Sequence, residues 1–321
     1  MVEMNRRTFV VSAGAASAAF GIAGPIAFPT SVAAQGAKPA PFHRFKVGDI
    51  EVTQIYEGIN MRPLDAGFVR NASLDDVKAA VKAAGHPDTH VPITFTVTLA
   101  RVGGKLVMFD SGTGGQLAPT AGLMTTEGFQ AAGINPADIS TIVVTHFHPD
   151  HIFGLMAKDT NAPIYPNAEI VVPAAEFAFW NDPGVFTKLP EGAHGLARRV
   201  QATIGTWKNV KQVEGGKEAV AGVTAIATNG HTAGHTSYQL GSGSSQLLVL
   251  GDITNVPYLF VKNPGWHVTF DGNPTAAEAA RRQIFDRAIA DKAIITGYHY
   301  GMPGAGRIEK DGNGYAYVPV A

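Results

Sequence analysis

The chain has 321 residues, 45% of them hydrophobic and none of them cysteine, so it can bury a sizeable core but offers no disulfide, Cys nucleophile or thiolate ligand. Its 25 Lys and Arg balance 26 Asp and Glu to a net charge of −1, without a long basic run, which argues against a phosphate-tracking surface and hence against nucleic acid as a partner. Any metal bound here must rest on nitrogen and oxygen.

At the N-terminus, Asn5-Arg6-Arg7-Thr8-Phe9 leads into the Ala/Gly-rich run FVVSAGAASAAFGIAGPIAF, and Ser31-Val32-Ala33-Ala34 offers a small-residue cleavage site. The pattern resembles a twin-arginine export signal, so residues 1–34 are expected to be removed and the mature chain to be periplasmic or secreted. Pro25, Pro29 and the glycines argue against a retained membrane anchor. Residues 35–321 show no linker or repeat, and one domain is expected. Its first strands are FKVGDIEVTQIYEG, ITFTVTLARV and KLVMFDSG, with Gly103-Gly104 as a hairpin turn. Between them Ser73 caps a helix that runs to about Ala84 and stops at Gly85.

STIVVT (140–145) is β-branched and apolar, a buried strand whose end opens into THFHPDHIFG (145–154). Alternate residues of an extended segment share a face, so His146 and His148 can chelate one ion together. Asp150 and His151 lie where the chain turns and can face a second. Phe177, Phe179, Trp180 and Phe186 follow in an aromatic insertion able to line a pocket. NGHTAGHT (229–236) then sets two histidines in a Gly-rich turn, of which His231 or His235 is a ligand. LLVLGD (247–252) and AIITGYH (293–299) are strands ending in Asp252 and His299, and a carboxylate at such an end can bridge two cations. Between these, Pro274 starts a helix with Ala277, Ala280, Ile284, Phe285 and Ile289 at helical spacing. His43, His86, His90, His194 and His267 lack ligand-like companions. Strand ends thus converge on one edge of sheets covered by helices.

HFHPDH, GHTAGH, Asp252 and His299, in that order, resemble the metallo-β-lactamase superfamily with its HxHxDH signature. FDSGTGG (109–115), THFHPDHIFGL, NGHTAGHTSY, LLVLGDI and MPGAGRIEKDGNGYAYVPV are further similar to the methyl parathion hydrolase group. The resemblance implies an α/β fold, a four-layer αββα sandwich. It implies that His146, His148 and His231 hold one divalent cation, that Asp150, His151 and His299 hold a second, and that Asp252 bridges them. It leaves His235 and Asp110 as supports of the ligands, the latter as a hydrogen-bond acceptor that orients one. Zinc is expected, although manganese, iron or cobalt suit the same donors. Water activated by two Lewis acids would attack a carbonyl carbon or a phosphorus. Asp252 and Asp150 are the catalytic carboxylates, and Asp150 can also pass a proton to the leaving group.

Substrate class follows by comparison within the superfamily. Flavodiiron-type members carry a carboxylate where His148 stands, ribonuclease members expect a basic surface, and glyoxalase II relatives bring a C-terminal domain where only 22 residues follow His299. A small neutral lactone or carboxylic ester is expected, with aryl phosphotriesters as the alternative and a noncatalytic metal-binding scaffold as the third reading. Leu117 and Leu196 stand where the parathion hydrolase pocket is more aromatic, and Asn255 where acyl-homoserine lactonases carry a tyrosine. With Phe177 and Trp180 they make up the expected pocket. A homodimer is implied by the resemblance alone.

Overall fold

In the computed structural model, which describes residues 39–243 and 245–320, the strand-like runs segregate into two seven-stranded sheets. The export-signal expectation falls on residues 1–34, outside the described residues. The first sheet follows chain order: β1 (Phe42–Val47), β2 (Ile50–Pro63), β3 (His90–Val102), β4 (Lys105–Phe109), β5 (Ile139–Val143), β6 (Glu169–Pro173) and β7 (Val210–Val213). The second runs from β14 (Gly314–Pro319) through β13 (Ala305–Asp311), β12 (Ile294–Thr296), β11 (Ser245–Val249), β10 (Thr236–Ser242) and β9 (Val223–Ala227) to β8 (Glu218–Val220). Strands β4 to β7 pair in parallel, as do β11 and β12.

Period-two alternation sorts the side chains into layers. Val107 and Phe109 of β4, Val143 of β5, Tyr238 and Leu240 of β10, and Leu247 and Val249 of β11 meet in one cluster between the sheets. The intervening Leu106 and Met108 face a cluster under the helices of the first outer layer. Leu248 and Ile295 pack against Ile284 and Phe285 of the helix Pro274–Ala290 on the other side. Both central strands are thus apolar on both faces, as strands sandwiched between layers must be, and the order is helix, sheet, sheet, helix.

Several local readings are refined. FKVGDIEVTQIYEG is a hairpin rather than one strand, because Gly48 turns it at φ 58°. Gly103 and Gly104, at φ 56° and 80°, form the two-residue turn between β3 and β4. Ser73 accepts from the Asp76 amide at 3.1 Å and caps the helix Leu74–Ala83. The β2–β3 register slips between Tyr56 and Gly58, a bulge that sends Glu57 inward. On Pro274–Ala290 the buried stripe is Ala277, Arg281, Ile284, Phe285 and Ala288; a fully buried arginine takes a place the spacing had left to alanine. Among the described residues no helix is long and apolar enough to cross a membrane.

Candidate metal centre

The candidate ligands all follow strand ends. After β5 the chain bends at Thr145 and carries His146 to His148, which is extended and precedes a one-turn helix, Pro149–Ile152, started by Pro149. His231 follows β9, Asp252 follows β11 and His299 follows β12. The two sheets are tied together at this point by Thr236 N donating to Thr145 O at 3.0 Å and by Tyr238 OH donating to Val144 O at 2.8 Å.

These residues fall into two groups, His146, His148 and His231 in one and Asp150, His151, Asp252 and His299 in the other, each with donor atoms within 4.8 Å of one another. His146 Nε2 and His231 Nε2 lie 3.0 and 2.9 Å from His148 Nδ1. Asp252 stands between the groups. Its Oδ2 is 2.9 Å from His299 Nε2 and 3.4 Å from His231 Nε2, and its Oδ1 is 3.4 Å from His151 Nε2. Asp150 Oδ2 lies 3.5 Å from His151 Nε2 and 3.6 Å from His299 Nε2.

The outer ring nitrogens set the orientation. His151 Nδ1 donates to Asp110 Oδ2 at 2.8 Å, and His146 Nδ1 donates to Thr145 Oγ1 at 3.0 Å, which passes on to the same carboxylate at 2.8 Å. His231 Nδ1 donates to Asp271 Oδ1 at 2.9 Å and His299 Nδ1 to Thr94 O at 2.8 Å. With these nitrogens donating, each Nε2 presents its lone pair inward. Nitrogens this close to His148 Nδ1 need either its proton or a cation between them, and the central His151 Nε2 and Asp252 Oδ1 are buried without a hydrogen-bond partner. Imidazole with carboxylate is a donor set for a borderline divalent ion. The residues fit two such ions.

Electrostatics separates the groups. Burial, then the neighbouring histidines, holds His146 well below its ordinary range and His148 at about 3, so both are neutral. Burial also opposes protonation of His151 and His299, but Asp252 and Asp150 overcome it and raise both. Asp252 in turn is held well below the carboxylate range despite its burial, by His299 and His151. Loading the second group must therefore displace protons that His146 and His148 do not hold. Its affinity should rise with pH through the raised histidine values and fall on acidification. On dialysis at mildly acid pH one equivalent of metal should leave before the other; simultaneous loss of both would contradict this.

His235 belongs to neither group. Its Nε2 accepts from the Asp252 amide at 2.9 Å while Nδ1 donates to Thr228 Oγ1 at 2.8 Å, so it pins the backbone beneath Asp252. Asp110, at φ 61°, orients two histidines. Tyr298 packs against His151 with ring centroids 4.0 Å apart and the planes tilted by 33°, and its hydroxyl donates to the Asp150 carbonyl. Burial, reinforced by nearby carboxylates, raises its pKa well above the usual phenol value, so it remains a donor.

Four buried charged residues were missed in the sequence. Glu176 accepts from Phe147 N, Trp180 Nε1, Thr232 Oγ1 and Gly234 N at 2.7–3.0 Å, joining both histidine loops to the helix Ala174–Asn181. Gly234 permits this approach, since a Cβ there would lie 2.0 Å from Glu176 N. Glu57 accepts from Thr113 N, Thr113 Oγ1, Gly114 N and Met124 N and so orders the FDSGTGG loop. Asp271 holds His231, and Arg281 holds Asp271. A charged residue inside an apolar run, as in AAEFAFW, or on the stripe of Pro274–Ala290 was the available signal.

The expected pocket is corrected at Trp180, which is 3% exposed in the outer core with its indole N–H committed to Glu176. Phe177 is half-buried, edge-on to Phe147 at 6.4 Å. Leu196 is half-buried against the same core and Leu117 is 45% exposed. Asn255 is buried with Oδ1 unpartnered.

A family model described as the metallo-beta-lactamase superfamily matches residues 96–295, well over half of the chain. Ribonuclease Z of Pyrococcus furiosus is 40% identical over 57 residues, 18% of this chain and only 15% of that protein. Among solved structures, the dizinc quorum-quenching lactonase AidC, in complex with a product, superposes with a TM-score of 0.81 at 23% identity, covering 87% of this chain and 97% of its own. The hydrolase AbOPH superposes with a TM-score of 0.82 at 24% identity, covering 89% and 99%. A probable metal-dependent hydrolase from Staphylococcus aureus gives 0.67 at 20%, covering 86% and 99%. At these identities the likeness is one of fold.

Proposed function

The chain belongs to the metallo-beta-lactamase superfamily, and from that premise we propose that it is a two-metal hydrolase of small neutral lactones or carboxylic esters. The observation that carries this reading is the placement of Asp252, whose two oxygens reach His231 and His299 on one side and His151 on the other. His146, His148 and His231 would hold one cation, Asp150, His151 and His299 the other, with Asp252 shared. Zinc is the proposed metal because its ligands here are imidazole and carboxylate. When bound, two such ions supply Lewis acidity and a nucleophile available at neutral pH.

The remaining work falls to the chain. Asp110, Thr145, Asp271 and Thr94 hold the imidazoles of His146, His151, His231 and His299 in one tautomer and one orientation, so little reorganisation is needed there as the reaction proceeds. Asp150 is the most accessible carboxylate, its side chain 16% exposed against 4% for Asp252. That makes it the group placed to take the proton released by the attacking water and hand it to the departing alkoxide. The Tyr298 hydroxyl, donating to the Asp150 carbonyl, keeps that residue in place. The lactonase AidC shares the fold, and its substrate class supports the carbonyl reading.

The test is metal analysis of the purified chain followed by kcat/KM for a lactone series, simple aryl esters and an aryl phosphotriester on one zinc-loaded preparation. Two metals per chain, loss of activity with chelator, recovery with zinc and a preference for carbonyl substrates are expected. A triester preference would transfer the chain to phosphorus chemistry, whereas negligible metal uptake would leave a noncatalytic scaffold. Export by the twin-arginine route and a homodimer remain part of the proposal, tested by N-terminal sequencing of exported protein and by its mass in solution.

A further inference from the structure

The support behind His231 does not end at Asp271. The far oxygen of that carboxylate, Oδ2, accepts from Arg281 NH2 at 3.3 Å, and all three side chains are between 0% and 2% exposed. Three more guanidinium donors go to carbonyls: Nε to Ile253 at 2.8 Å, NH1 to Pro264 at 2.7 Å and to Trp266 at 3.1 Å. Ile253 directly follows Asp252, so a single arginine grips both the loop carrying the shared carboxylate and the carboxylate that turns His231. The backbone repeats this link, since Gly272 N donates to His231 O at 3.0 Å and Asn273 N to Gly230 O at 2.8 Å. Gly230 lets the first turn of Pro274–Ala290 come close: a Cβ there would lie 2.2 Å from Ala277 N.

A buried ion pair is a poor source of stability, because desolvating both ions offsets most of their attraction. Arg281 nevertheless occupies a stripe whose other members are Ala277, Ile284, Phe285 and Ala288, where an apolar side chain would pack without that cost. We infer that Arg281 is a positioning residue that, through Asp271 and the Ile253 carbonyl, fixes His231 Nε2 and Asp252 relative to each other and thereby sets the cation affinity of the three-histidine group. This rests on the two-metal reading above.

Zinc binding should be measured by competition with a chromophoric chelator for the full chain, for Arg281→Met, for Arg281→Lys and for a double variant, Asp271→Asn with Arg281→Met, with Tm and the separate values of kcat and KM alongside. Arg281→Met should weaken one of the two zinc equivalents by about 10–100-fold and lower kcat while leaving KM for the ester nearly unchanged. Arg281→Lys should recover part of the affinity, because it keeps the charge but not the fork that reaches several acceptors at once. The double variant buries no charge at this pair and so keeps the test open where Arg281→Met fails to fold. It should still show the weakened equivalent. If either Met-bearing chain binds both equivalents as the parent does, whatever its Tm, the pair is structural only and the inference is wrong. A parent chain that does not take up two equivalents removes the two-metal reading itself and this inference with it, an outcome visible before any variant is compared.

Discussion

Asp252→Ala should lower kcat/KM for an ester substrate on the order of 10³-fold, about 4 kcal/mol of barrier, while leaving the circular dichroism of the chain unchanged. The shared carboxylate is the contact common to both ligand groups, so its loss removes the coupling between them rather than one bond of several. The fold should survive because the Asp252 amide, not its side chain, is what His235 holds. Metal content should fall below two per chain in the same preparation. A variant that keeps undiminished, metal-dependent turnover would show that Asp252 does not join the two groups. In the metal-free chain the substitution should also release protons, because the raised values of His151 and His299 depend on this carboxylate.

Glu176→Ala is expected to have the largest effect on stability, about 3 kcal/mol or more, or a Tm lower by roughly 5 °C for a domain of this size. The carboxylate is fully buried, and its removal strands two backbone amides, an indole N–H and a hydroxyl in an apolar setting. Burial raises its pKa, and those four hydrogen bonds pull the other way; the group is retained for what it joins. Phe147 lies between His146 and His148, while Thr232 and Gly234 flank the turn after His231, so the two histidine loops should loosen together. Glu176→Gln keeps one acceptor oxygen but sets an NH2 against the remaining donors, and should fall between parent and alanine variant. Chemical denaturation with parallel metal analysis distinguishes the outcomes. An alanine variant as stable as the parent would mean that water satisfies these donors and that the glutamate joins nothing.

The layered architecture was legible from composition along short runs, because a strand between two layers must be apolar on both faces, as in KLVMF and LLVL, and a run that short, closed by Gly or Asp, has no room for a helix. The seven candidate ligands were legible for a related reason. Each follows a strand end, and strand ends announce themselves by a change from β-branched residues to Gly, His and Asp within a few positions. Thr94, whose carbonyl holds His299, gave no such sign, because a backbone acceptor carries no side-chain signature. Trp180 was misread since an aromatic residue in an insertion looks alike whether it lines a cleft or a core; only its bond to Glu176 decides.

By itself, then, the sequence determined the superfamily's ordered pattern of histidines and aspartates, the absence of any thiolate donor, and which runs become strands. What only the tertiary structure decided is how the ligands are held. Glu57, Glu176, Asp271 and Arg281 take their partners from segments that lie 17–67 residues away in most cases. Local sequence encodes periodicity and turn chemistry, which act over a few residues. The pairing of a buried charge is settled only when sheets and helices close on one another, and the desolvation of that charge makes the pairing obligatory.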